Sequence, residues 1–346
     1  MEDLTPKNTL AGLRHRIDRE HVQPAPLSKD EYLALPEPDR YAHDDARIEW
    51  FGSGFLLTTG DTVEMMRSVN AYLRTSNPLS VGERNVVLDG PANVGKTTML
   101  MRVAREVEMQ TSRRTPDYRK QGIVPVCYIE VAPKSTPKMI AAAILDFYGV
   151  PAGERRTQRE LVNNAVTVML ARRTRLLIVD ELQMLRLQGS AGDDAIDTLK
   201  SIINNAGCVT VFAGIDLTAK MASRSAEQIM ARGELRHLLP FSSASDADRS
   251  RWAGLVASFE RQMRLFDQTP GGLLEFADPL HALTGGRIGD LRRVLSRAMS
   301  IMLDEKPTPD APEVITEAHV FGAAGAQAVL PQPGTAQRKK AAEGIA

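Results

Sequence analysis

Short, unbroken hydrophobic runs alternate along the middle of the chain with longer segments in which hydrophobic residues recur at helical spacing. The unbroken runs are typical of strands buried on both faces of a parallel sheet. They lie at residues 85–89, 123–131, 176–181 and 209–214. The helical spacing predicts helices at residues 58–74, 98–107, 136–148, 158–172 and 195–205. Strands that alternate with helices predict an α/β fold, in which helices flank a parallel sheet.

The pattern changes at both ends of this α/β region. After Pro240 the strand signal stops, and three amphipathic segments predict helices at residues 245–265, 273–283 and 288–303. Residues 1–45 are polar, charged and rich in proline, which is typical of a partly ordered arm with short helices at 10–20 and 29–35. The predicted parts are an arm at 1–45, an α/β core at 46–241, a helical lid at 242–322 and a flexible tail at 323–346.

A glycine-rich loop lies between the first predicted strand and the helix that follows it. The loop completes the pattern G-x-x-x-x-G-K-[ST], and its residues are Gly90, Pro91, Ala92, Asn93, Val94, Gly95, Lys96 and Thr97. In such a loop the backbone N–H groups and the positive end of the helix hold phosphates. Lys96 is expected to reach the β- and γ-phosphates of ATP and Thr97 to bind Mg²⁺, with Thr98 completing the nucleotide-binding set.

Two adjacent carboxylates end the hydrophobic run at residues 176–181. Ligands of open α/β sheets bind at the carboxyl ends of the strands, so Asp180 is expected to hold Mg²⁺. Glu181 is expected to point to the other side and to orient and deprotonate a water that attacks the γ-phosphate. The alternative is a buried strand followed by a solvated acidic turn. The upstream loop favours the functional interpretation over this alternative. A pair of carboxylates, rather than a lone Asp, favours a hydrolase or an ATP-timed switch over a simple kinase.

The amino-acid composition indicates less about function than the two motifs do. An apolar content of 43% and a charged content of 25% are ordinary for a soluble globular protein, and a formal net charge of zero identifies no partner. Residues 101–175 carry 14 Lys and Arg against 7 Asp and Glu. This local excess of positive charge is a weak indication of a polyanionic partner, and the alternative is that these residues form solvated helix faces. Cys127 and Cys208 lie in hydrophobic runs and are expected to be buried thiols. Since no signal-peptide or membrane-spanning pattern occurs, a cytoplasmic location is expected.

Taken together, these motifs resemble those of AAA+ ATPases and, more narrowly, those of the TniB/TnsC branch, whose transposon-encoded ATPases regulate DNA transposition. The segments that carry the resemblance are Asp180-Glu181-Leu182-Gln183-Met184-Leu185, Val211-Phe212-Ala213-Gly214, Gln228-Ile229-Met230-Ala231-Arg232, Leu238-Leu239-Pro240-Phe241 and Gly285-Gly286-Arg287-Ile288-Gly289-Asp290-Leu291. The resemblance covers residues 45–303. It implies an AAA+ P-loop core followed by a helical lid. It also implies ATP and Mg²⁺ as ligands, and slow ATP hydrolysis that DNA or a partner regulates.

The resemblance further implies a cation that a neighbouring subunit supplies to the developing charge on the γ-phosphate. Arg232 lies where this arginine finger is expected, at the end of a helix before the last core strand. Arg224 and Arg236 are the alternatives.

Two positions that sense the nucleotide are also implied. Arg292, after Gly289-Asp290, matches an arginine at the start of a lid helix that senses nucleotide in its own subunit, with Arg287 and Arg293 as alternatives. The polar residue that relays the state of the γ-phosphate is usually Asn, at the end of the strand at 209–214. The chain has Asp216 in this region instead, and a carboxylate beside phosphates is electrostatically unfavourable. That second role therefore stays open.

Members of the branch form rings or helical filaments around duplex DNA with ATP, which implies a homo-oligomer and sequence-independent contacts to the DNA backbone. The candidate phosphate contacts are Lys134, Thr136 and Lys138, and a second basic cluster is Arg113, Arg114, Arg119 and Lys120. An N-cap role for Thr136 and an ordinary loop position for Lys134 are the alternatives. The arm and the basic residues 338–340 are candidate docking elements for a transposase or a target-selection protein.

Other functions remain open at this stage. An AAA+ ATPase of replication initiation or secretion would act through ATP-timed conformational change without a transposase, and neighbouring genes would distinguish it. A scaffold that binds ATP without hydrolysing it has no need of a water-activating carboxylate such as Glu181. A P-loop kinase is disfavoured because no acceptor-recognition motif is evident and a helical lid follows the strands.

Overall fold

The computed structural model describes residues 6–19, 23–75, 85–153, 155–185, 190–220 and 233–325. The chain forms two compact units, one comprising Met1–Glu20 and Leu57–Leu239 and the other comprising His21–Leu56 and Pro240–Ala346. In chain order, the helices of the described residues are α1 Leu10–Asp18, α2 Lys29–Ala34, α3 Glu37–Glu49, α4 Gly60–Thr75, α5 Lys96–Arg114, α6 Pro137–Phe147, α7 Gln158–Ala171, α8 Ser190–Ala206, α9 Leu217–Lys220, α10 Asp246–Met263, α11 Ala277–Thr284, α12 Ile288–Asp304 and α13 Glu317–Gly325.

The first unit is built on a five-stranded sheet. Its strands are β1 Asn85–Asp89, β2 Val126–Glu130, β3 Leu176–Asp180, β4 Val209–Gly214 and β5 Gly233–His237. The strand order is β2-β3-β4-β1-β5, and every neighbouring pair is parallel. β4 therefore lies between the strand that precedes the glycine-rich loop and the strand that ends in Asp180. The predicted α/β class with a parallel sheet is confirmed.

Helices pack on this sheet and on one another. α5 contacts β2 and β3, and α1 and α4 pack on α5, while α6, α7 and α8 form a second group. Every residue of β3 and β4 is buried, which explains why the sequences of these strands are unbroken hydrophobic runs. β5 is an edge strand that is only partly buried. Because its sequence has no hydrophobic run, the pattern did not give its position, although the resemblance implied a last core strand after Arg232.

The second unit joins residues 21–56 to the C-terminal helices through a buried ion pair and an aromatic cluster. Arg47 on α3 is 2% exposed, and its Nη1 donates to Oε2 of the fully buried Glu313 at 2.7 Å. Lys306 Nζ lies 2.9 Å from the other oxygen of that carboxylate. The rings of Phe51 and Phe55 pack edge-on against Phe259 of α10. These contacts hold the segment before the α/β core in the C-terminal helical unit.

This grouping differs from the predicted arm at residues 1–45 and core at 46–241, because the structure divides the N-terminal segment between the two units. α1 belongs to the first unit, where Arg14 Nη2 donates to the backbone oxygen of Ile123 at 3.1 Å. α2 and α3 belong to the second. α3 begins directly after Pro36 and has Pro38 in its first turn, where a missing N–H group costs no hydrogen bond. Pro36 and Pro38, two of the prolines that suggested irregular structure, therefore lie at the start of a helix.

The predicted helix at residues 273–283 is divided in the structure. A 3-10 turn over Gly272–Phe276 precedes α11, which begins at Ala277. A continuous helix would need the N–H of residue 279 to donate to the carbonyl of residue 275, and Pro279 has no N–H.

The structure also shows the positions of the two cysteines and the length and hydrophobicity of the helices. Cys127 and Cys208 are buried and are not joined to each other or to another cysteine, as the sequence predicted. Burial raises the pKa of the Cys127 thiol far above its ordinary value. Within the described ranges, no helix has both the length and the hydrophobicity that crossing a membrane requires.

Candidate functional site

The carboxyl ends of the five strands form one edge of the sheet, and polar residues are concentrated there. In the strand register, Glu130 of β2 lies beside Asp180 of β3. Asp89 of β1 lies between Gly214 of β4 and His237 of β5. The glycine-rich loop follows β1 at this edge. The two motifs found in the sequence, which are distant along the chain, are therefore brought together by the parallel order of the strands.

The loop that follows β1 has a backbone that few residues other than glycine accept. Gly95 has φ 98° and Asn93 has φ 64°, both in the left-handed region. At Gly90, a Cβ atom would lie 2.3 Å from the backbone oxygen of Leu238, so the loop approaches the end of β5 too closely for any side chain. Because Gly95 is the N-cap of α5 and has no side chain to cap it, the N–H groups of the first helical turn face the loop and suit a phosphate.

Lys96 lies inside this loop as its buried cation. The side chain is 8% exposed, and its Nζ donates to the backbone oxygens of Gly90 at 2.7 Å and Pro91 at 2.6 Å. Burial lowers the pKa of Lys96, and the nearby carboxylates, of which Glu181 has the largest effect, act in the opposite direction. The loop therefore presents one ammonium group together with backbone N–H groups, as phosphate binding requires.

Thr97 and Asp180 meet at the start of α5. The Thr97 hydroxyl donates to Asp180 Oδ2 at 3.3 Å. Two neighbouring oxygen ligands of an octahedral Mg²⁺ lie about 3.0 Å apart, given Mg–O distances of about 2.1 Å. Both groups are hard oxygen donors, and Mg²⁺ commonly takes only one or two protein ligands beside water and phosphate oxygens. The pair therefore fits Mg²⁺.

Asp180 is 1% exposed and is held by groups from three other segments. Its Oδ2 accepts from the Tyr128 hydroxyl of β2 at 2.5 Å. Lys7, which precedes α1, places its Nζ 3.4 Å from the same oxygen and 2.5 Å from Glu130 Oε1. Burial and the neighbouring Asp180 raise the pKa of Tyr128 far above its ordinary value, so its hydroxyl stays a donor to the carboxylate. Asp180 is thus fixed in position by hydrogen bonds on more than one side.

Glu181 leaves the strand with an unusual backbone. Its φ of 60° and ψ of 34° are left-handed, a conformation that a residue with a side chain rarely adopts and that clusters at functional sites. The alternation of the strand, from which the side-chain direction of Glu181 was predicted, therefore ends at Asp180. The Glu181 N–H donates to Asp180 Oδ1 at 2.9 Å. Gln183 Nε2 donates to the Glu181 carboxylate at 2.5 Å.

The loop after β4 is tied to the end of β1. Asp89 accepts from the N–H of Leu217 at 3.0 Å and from the Thr218 hydroxyl at 2.9 Å. Burial by itself would raise the pKa of Asp89, but these hydrogen bonds and the nearby His237 hold it below its ordinary value. Asp216, the candidate relay of the γ-phosphate state, is exposed and left-handed with φ 53°. Its carboxylate is one of the charges that act on Lys96.

The arginines predicted to contact nucleotide do not all belong to one unit, and some of them lie outside the described residues. Arg232, the predicted finger, and its alternative Arg224 lie outside the described residues. Arg236 lies on β5, and its guanidinium donates to Ser68 Oγ at 2.7 Å and pairs with Glu234 at 2.5 Å. These contacts tie the Arg236 side chain to α4 and to its own strand.

Arg292 lies on α12 of the second unit. It donates to the backbone oxygen of Phe55 at 2.7 Å, and its guanidinium lies over the Phe55 ring at 4.4 Å and over the Phe259 ring at 5.6 Å. Burial lowers its pKa. The alternatives Arg287 and Arg293 both pair with Asp290, at 3.9 and 2.5 Å.

The three candidate DNA contacts lie around the start of α6, and all are exposed. Thr136 is the N-cap of α6, and its side chain accepts from the N–H of Met139 at 3.3 Å. Lys134 is left-handed with φ 61°, and its N–H donates to the backbone oxygen of Met184 at 3.1 Å. Lys138 lies in the first turn of α6. In the second basic cluster, Arg119 pairs with Asp18, Lys120 pairs with Asp117, and Arg113 and Arg114 are exposed.

Sequence reasoning missed three residues of this site. Tyr128 is a hydroxyl-bearing residue within the hydrophobic run of β2, next to β3, and this position was a usable signal. Gln183 was noticed only as part of the segment that carries the resemblance. Lys7 gave no signal, because it lies 173 residues from the carboxylate that it contacts.

The chain was compared with known protein families, curated proteins and solved structures. The model of the family described as "Bacterial TniB protein" matches residues 47–243, more than half of the chain. No curated protein resembles the chain closely enough to count as a match.

Solved structures resemble the chain over most of its length. The Aeropyrum pernix ORC2 protein, in complexes with ADPNP and ADP, has a TM-score of 0.59 at 15% identity, covering 82% of this chain and 72% of that chain. Pyrobaculum aerophilum CDC6P gives 0.56 at 14%, covering 81% and 70%. Aeropyrum pernix ORC1 in complex with DNA gives 0.55 at 18%, covering 81% and 69%. At these identities the likeness is one of fold, and the shared architecture is the AAA+ fold.

Proposed function

The chain belongs to the bacterial TniB protein family, and from this premise we propose that it is an ATP-dependent regulator of DNA transposition. It binds ATP with Mg²⁺, assembles as a ring or filament of identical subunits on duplex DNA, and recruits or activates a transposase. Hydrolysis of ATP to ADP and phosphate then disassembles it. The observation that carries the ATPase part is the 3.3 Å contact between Thr97 and Asp180 beside the buried Lys96.

Each residue of the site has a defined part in this reaction. Thr97 Oγ1 and Asp180 would hold Mg²⁺, which would neutralise negative charge that develops during phosphoryl transfer. Lys96 and the backbone N–H groups of residues 90–97 bind the phosphates. Glu181 orients the attacking water and accepts its proton. The proposed order of events is therefore binding of ATP, assembly, attack by water, and release.

A neighbouring subunit completes the site in this proposal. Arg232, which directly precedes β5, remains our choice for the arginine that stabilises charge on the γ-phosphate from a second subunit. The hydrogen bond of Arg236 to Ser68 and its pairing with Glu234 favour Arg232 over Arg236. Arg292 remains the proposed cis sensor, and binding of nucleotide would have to draw it away from Phe55.

DNA binding rests on the family and on the exposed cations near α6. We assign the backbone contacts to Lys134, Thr136 and Lys138, a set that gives sequence-independent, salt-sensitive binding. ORC1 of Aeropyrum pernix, which shares the fold, was solved in complex with DNA. Because duplex DNA is the proposed partner, we propose a cytoplasmic location. We also propose that residues 1–45 and the tail at 323–346 are docking elements for a transposase or a target-selection protein.

Replication initiation is the second candidate, because the similar solved structures include ORC1, ORC2 and CDC6P. Their likeness is one of fold alone, whereas the family match covers most of the α/β core. We therefore rank transposition first. Genes for an integrase-type transposase next to the gene for this chain would support that ranking.

The proposal is tested by electron microscopy of the purified protein with linear duplex DNA, with and without a non-hydrolysable ATP analogue. Rings or filaments that form on DNA only with nucleotide are expected. Lys96→Ala should abolish nucleotide binding or assembly, and Glu181→Gln should trap an ATP-bound oligomer. Dispersed particles in all conditions would contradict the DNA assembly, and wild-type turnover by Glu181→Gln would contradict the assigned role of that carboxylate.

A further inference from the structure

The side chain of Gln183 bridges Glu181 and the end of β4. Gln183 lies in a 3-10 turn, Leu182–Met184, that follows Glu181 directly. We propose that Gln183 is a positioning residue for ATP hydrolysis, which holds the Glu181 carboxylate in a fixed direction relative to the loop after β4. This inference rests on the proposed ATPase function. In this proposal Gln183 does not contact the nucleotide.

The two ends of the Gln183 amide make different hydrogen bonds. Its Nε2 donates to Glu181 Oε2 at 2.5 Å, and its Oε1 accepts from the N–H of Ile215 at 3.1 Å. An ionised carboxylate only accepts and a backbone N–H only donates, so the group between them must do both. A primary amide meets this requirement, and Glu at this position would set two carboxylates against each other.

The sequence of β4 accommodates this bridge. A Cβ atom on Gly214 would lie 2.5 Å from Gln183 Oε1, so any side chain at position 214 would displace the amide. The φ of Gly214 is not in the left-handed region, and its backbone alone does not require glycine. The space that glycine leaves is used by the Gln183 amide and the neighbouring Leu217 side chain.

The backbone of Glu181 is already fixed on both sides, which leaves its side chain as the part to be oriented. Its N–H donates to Asp180 Oδ1 at 2.9 Å, and its carbonyl accepts from the N–H of Met184 at 2.8 Å. The left-handed φ of 60° is maintained by these contacts. Gln183 then restrains the carboxylate itself. A general base acts only when its oxygen points at the water that loses the proton, so this restraint bears on the rate of hydrolysis.

The anchor at Ile215 gives the bridge a second consequence. Ile215 precedes Asp216, whose charge acts on Lys96 in the phosphate-binding loop. If the loop after β4 moves, the Gln183 side chain moves with it and shifts the Glu181 carboxylate.

The test compares Gln183→Met, which removes both hydrogen bonds, and Gln183→Glu, which keeps the acceptor for Ile215 but loses the donor to Glu181. Gln121→Glu is the matched control, since Gln121 is exposed and its amide donates only to a backbone oxygen of a surface turn. The measurements are kcat and KM for ATP, and the affinity for a non-hydrolysable ATP analogue. The melting temperature of the nucleotide-free protein is also measured, for Gln183→Met in the wild-type and Glu181→Ala backgrounds.

We expect kcat to fall at least about tenfold in both Gln183 variants, since general bases commonly contribute about a hundredfold or more. KM and analogue affinity should stay within about twofold of the wild-type values, because phosphate binding is unaffected. Gln121→Glu should match the wild type. In the nucleotide-free protein, the effect of Gln183→Met on the melting temperature should be smaller in the Glu181→Ala background, since the contact is then already lost.

Wild-type kcat in both Gln183 variants would overturn the inference. So would losses of kcat, analogue affinity and melting temperature in parallel, since these indicate a structural role only. Additive effects of the Gln183 and Glu181 changes on melting temperature would show that the contact does not form. A wild-type protein that binds ATP without hydrolysing it would overturn the proposed hydrolysis, and this inference with it. That result is distinct from a failure of the Gln183 variants alone.

Discussion

At the scale of single residues, the closest backbone approach in the glycine-rich loop is at Gly90. A Cβ atom there would lie 2.3 Å from the Leu238 oxygen. We expect Gly90→Ala to displace the loop and to cost about 1–3 kcal/mol, as overpacking does. If ATP binding must restore the loop geometry, this cost is subtracted from the binding free energy. Because about 1.4 kcal/mol corresponds to a tenfold change in affinity, ATP binding should then weaken about fivefold or more. Titration with a fluorescent ATP analogue measures this.

Gly254→Ala is the control for that substitution. Gly254 is exposed inside α10, and nothing lies within 4 Å of the added Cβ. Alanine in a helix interior stabilises by about 0.5–1 kcal/mol relative to glycine, and nucleotide affinity should be unchanged. Equal affinities for Gly90→Ala and the wild type would show that the loop does not need this close approach.

Lys7 contacts two neighbouring carboxylates at the candidate metal site. Its Nζ contacts Glu130 at 2.5 Å and the buried Asp180 at 3.4 Å. Lys7→Met leaves both carboxylates without that cation, so the metal-free protein should lose about 1 kcal/mol, or about 2–4 °C in melting temperature. Mg²⁺ should restore part of this loss by supplying positive charge at the same place. Differential scanning fluorimetry with and without Mg²⁺ measures both effects.

Lys120→Met is the comparison for Lys7. Lys120 is 82% exposed in its pair with Asp117, and surface pairs of this kind contribute little. A Lys7 variant that melts like the Lys120 variant in the absence of Mg²⁺ would show that the Lys7 contacts are dispensable.

At the scale of secondary-structure elements, α3 depends on partners that are distant in sequence. Arg47 is buried and paired with Glu313, which is 266 residues away. Removal of one partner of a buried pair costs about 3–5 kcal/mol, because the other charge stays buried without compensation. Arg47→Ala should therefore destabilise the second unit by that amount, as measured by chemical denaturation. Arg67→Ala, which breaks an exposed pair with Glu64, should have an effect of less than about 1 kcal/mol.

The same ion pair predicts a dependence of stability on pH. Burial by itself would raise the pKa of Glu313, but Arg47 and Lys306 hold it below its ordinary value of 4.5. A carboxylate with a lowered pKa in the folded state stabilises the fold above its ordinary pKa, and this contribution is lost as the pH falls through the lowered value. The free energy of unfolding should therefore decrease below about pH 4.5. The decrease should be smaller in Glu313→Gln, and equal pH profiles would contradict the assignment.

At the scale of the whole molecule, the proposed function depends on assembly along DNA. If Lys134 contacts one phosphate in each subunit, Lys134→Ala should weaken binding equally for all sequences and reduce the slope of log affinity against log salt by about 1. Fluorescence anisotropy at several salt concentrations measures the slope. Arg251→Ala removes the same charge at an exposed position of α10 and should leave the slope unchanged. An unchanged affinity and slope for Lys134→Ala would remove that residue from the interface.

The sequence by itself determined four of the five strands and the chemistry at their ends. The hydrophobic runs gave β1, β2, β3 and β4 because these strands are buried almost throughout, and burial on both faces leaves a local signature. The glycine-rich loop and the Asp180-Glu181 pair were equally visible, since their spacing along the chain is set by the backbone geometry that holds a phosphate. A requirement that involves only neighbouring residues, such as a buried strand or a phosphate-binding loop, therefore leaves a pattern in the sequence.

Only the tertiary structure decided which distant segments complete the site and the units. Lys7 beside Asp180, the hydrogen bond of Tyr128 and the anchoring of Gln183 on Ile215 join different strands or loops. The placement of residues 21–56 with the C-terminal helices also depends on pairs such as Arg47 and Glu313. Such contacts follow from the order of the strands and from packing, which bring together residues whose separation along the chain carries no periodic signal. The sequence around a polar residue therefore does not show which distant residue its side chain contacts.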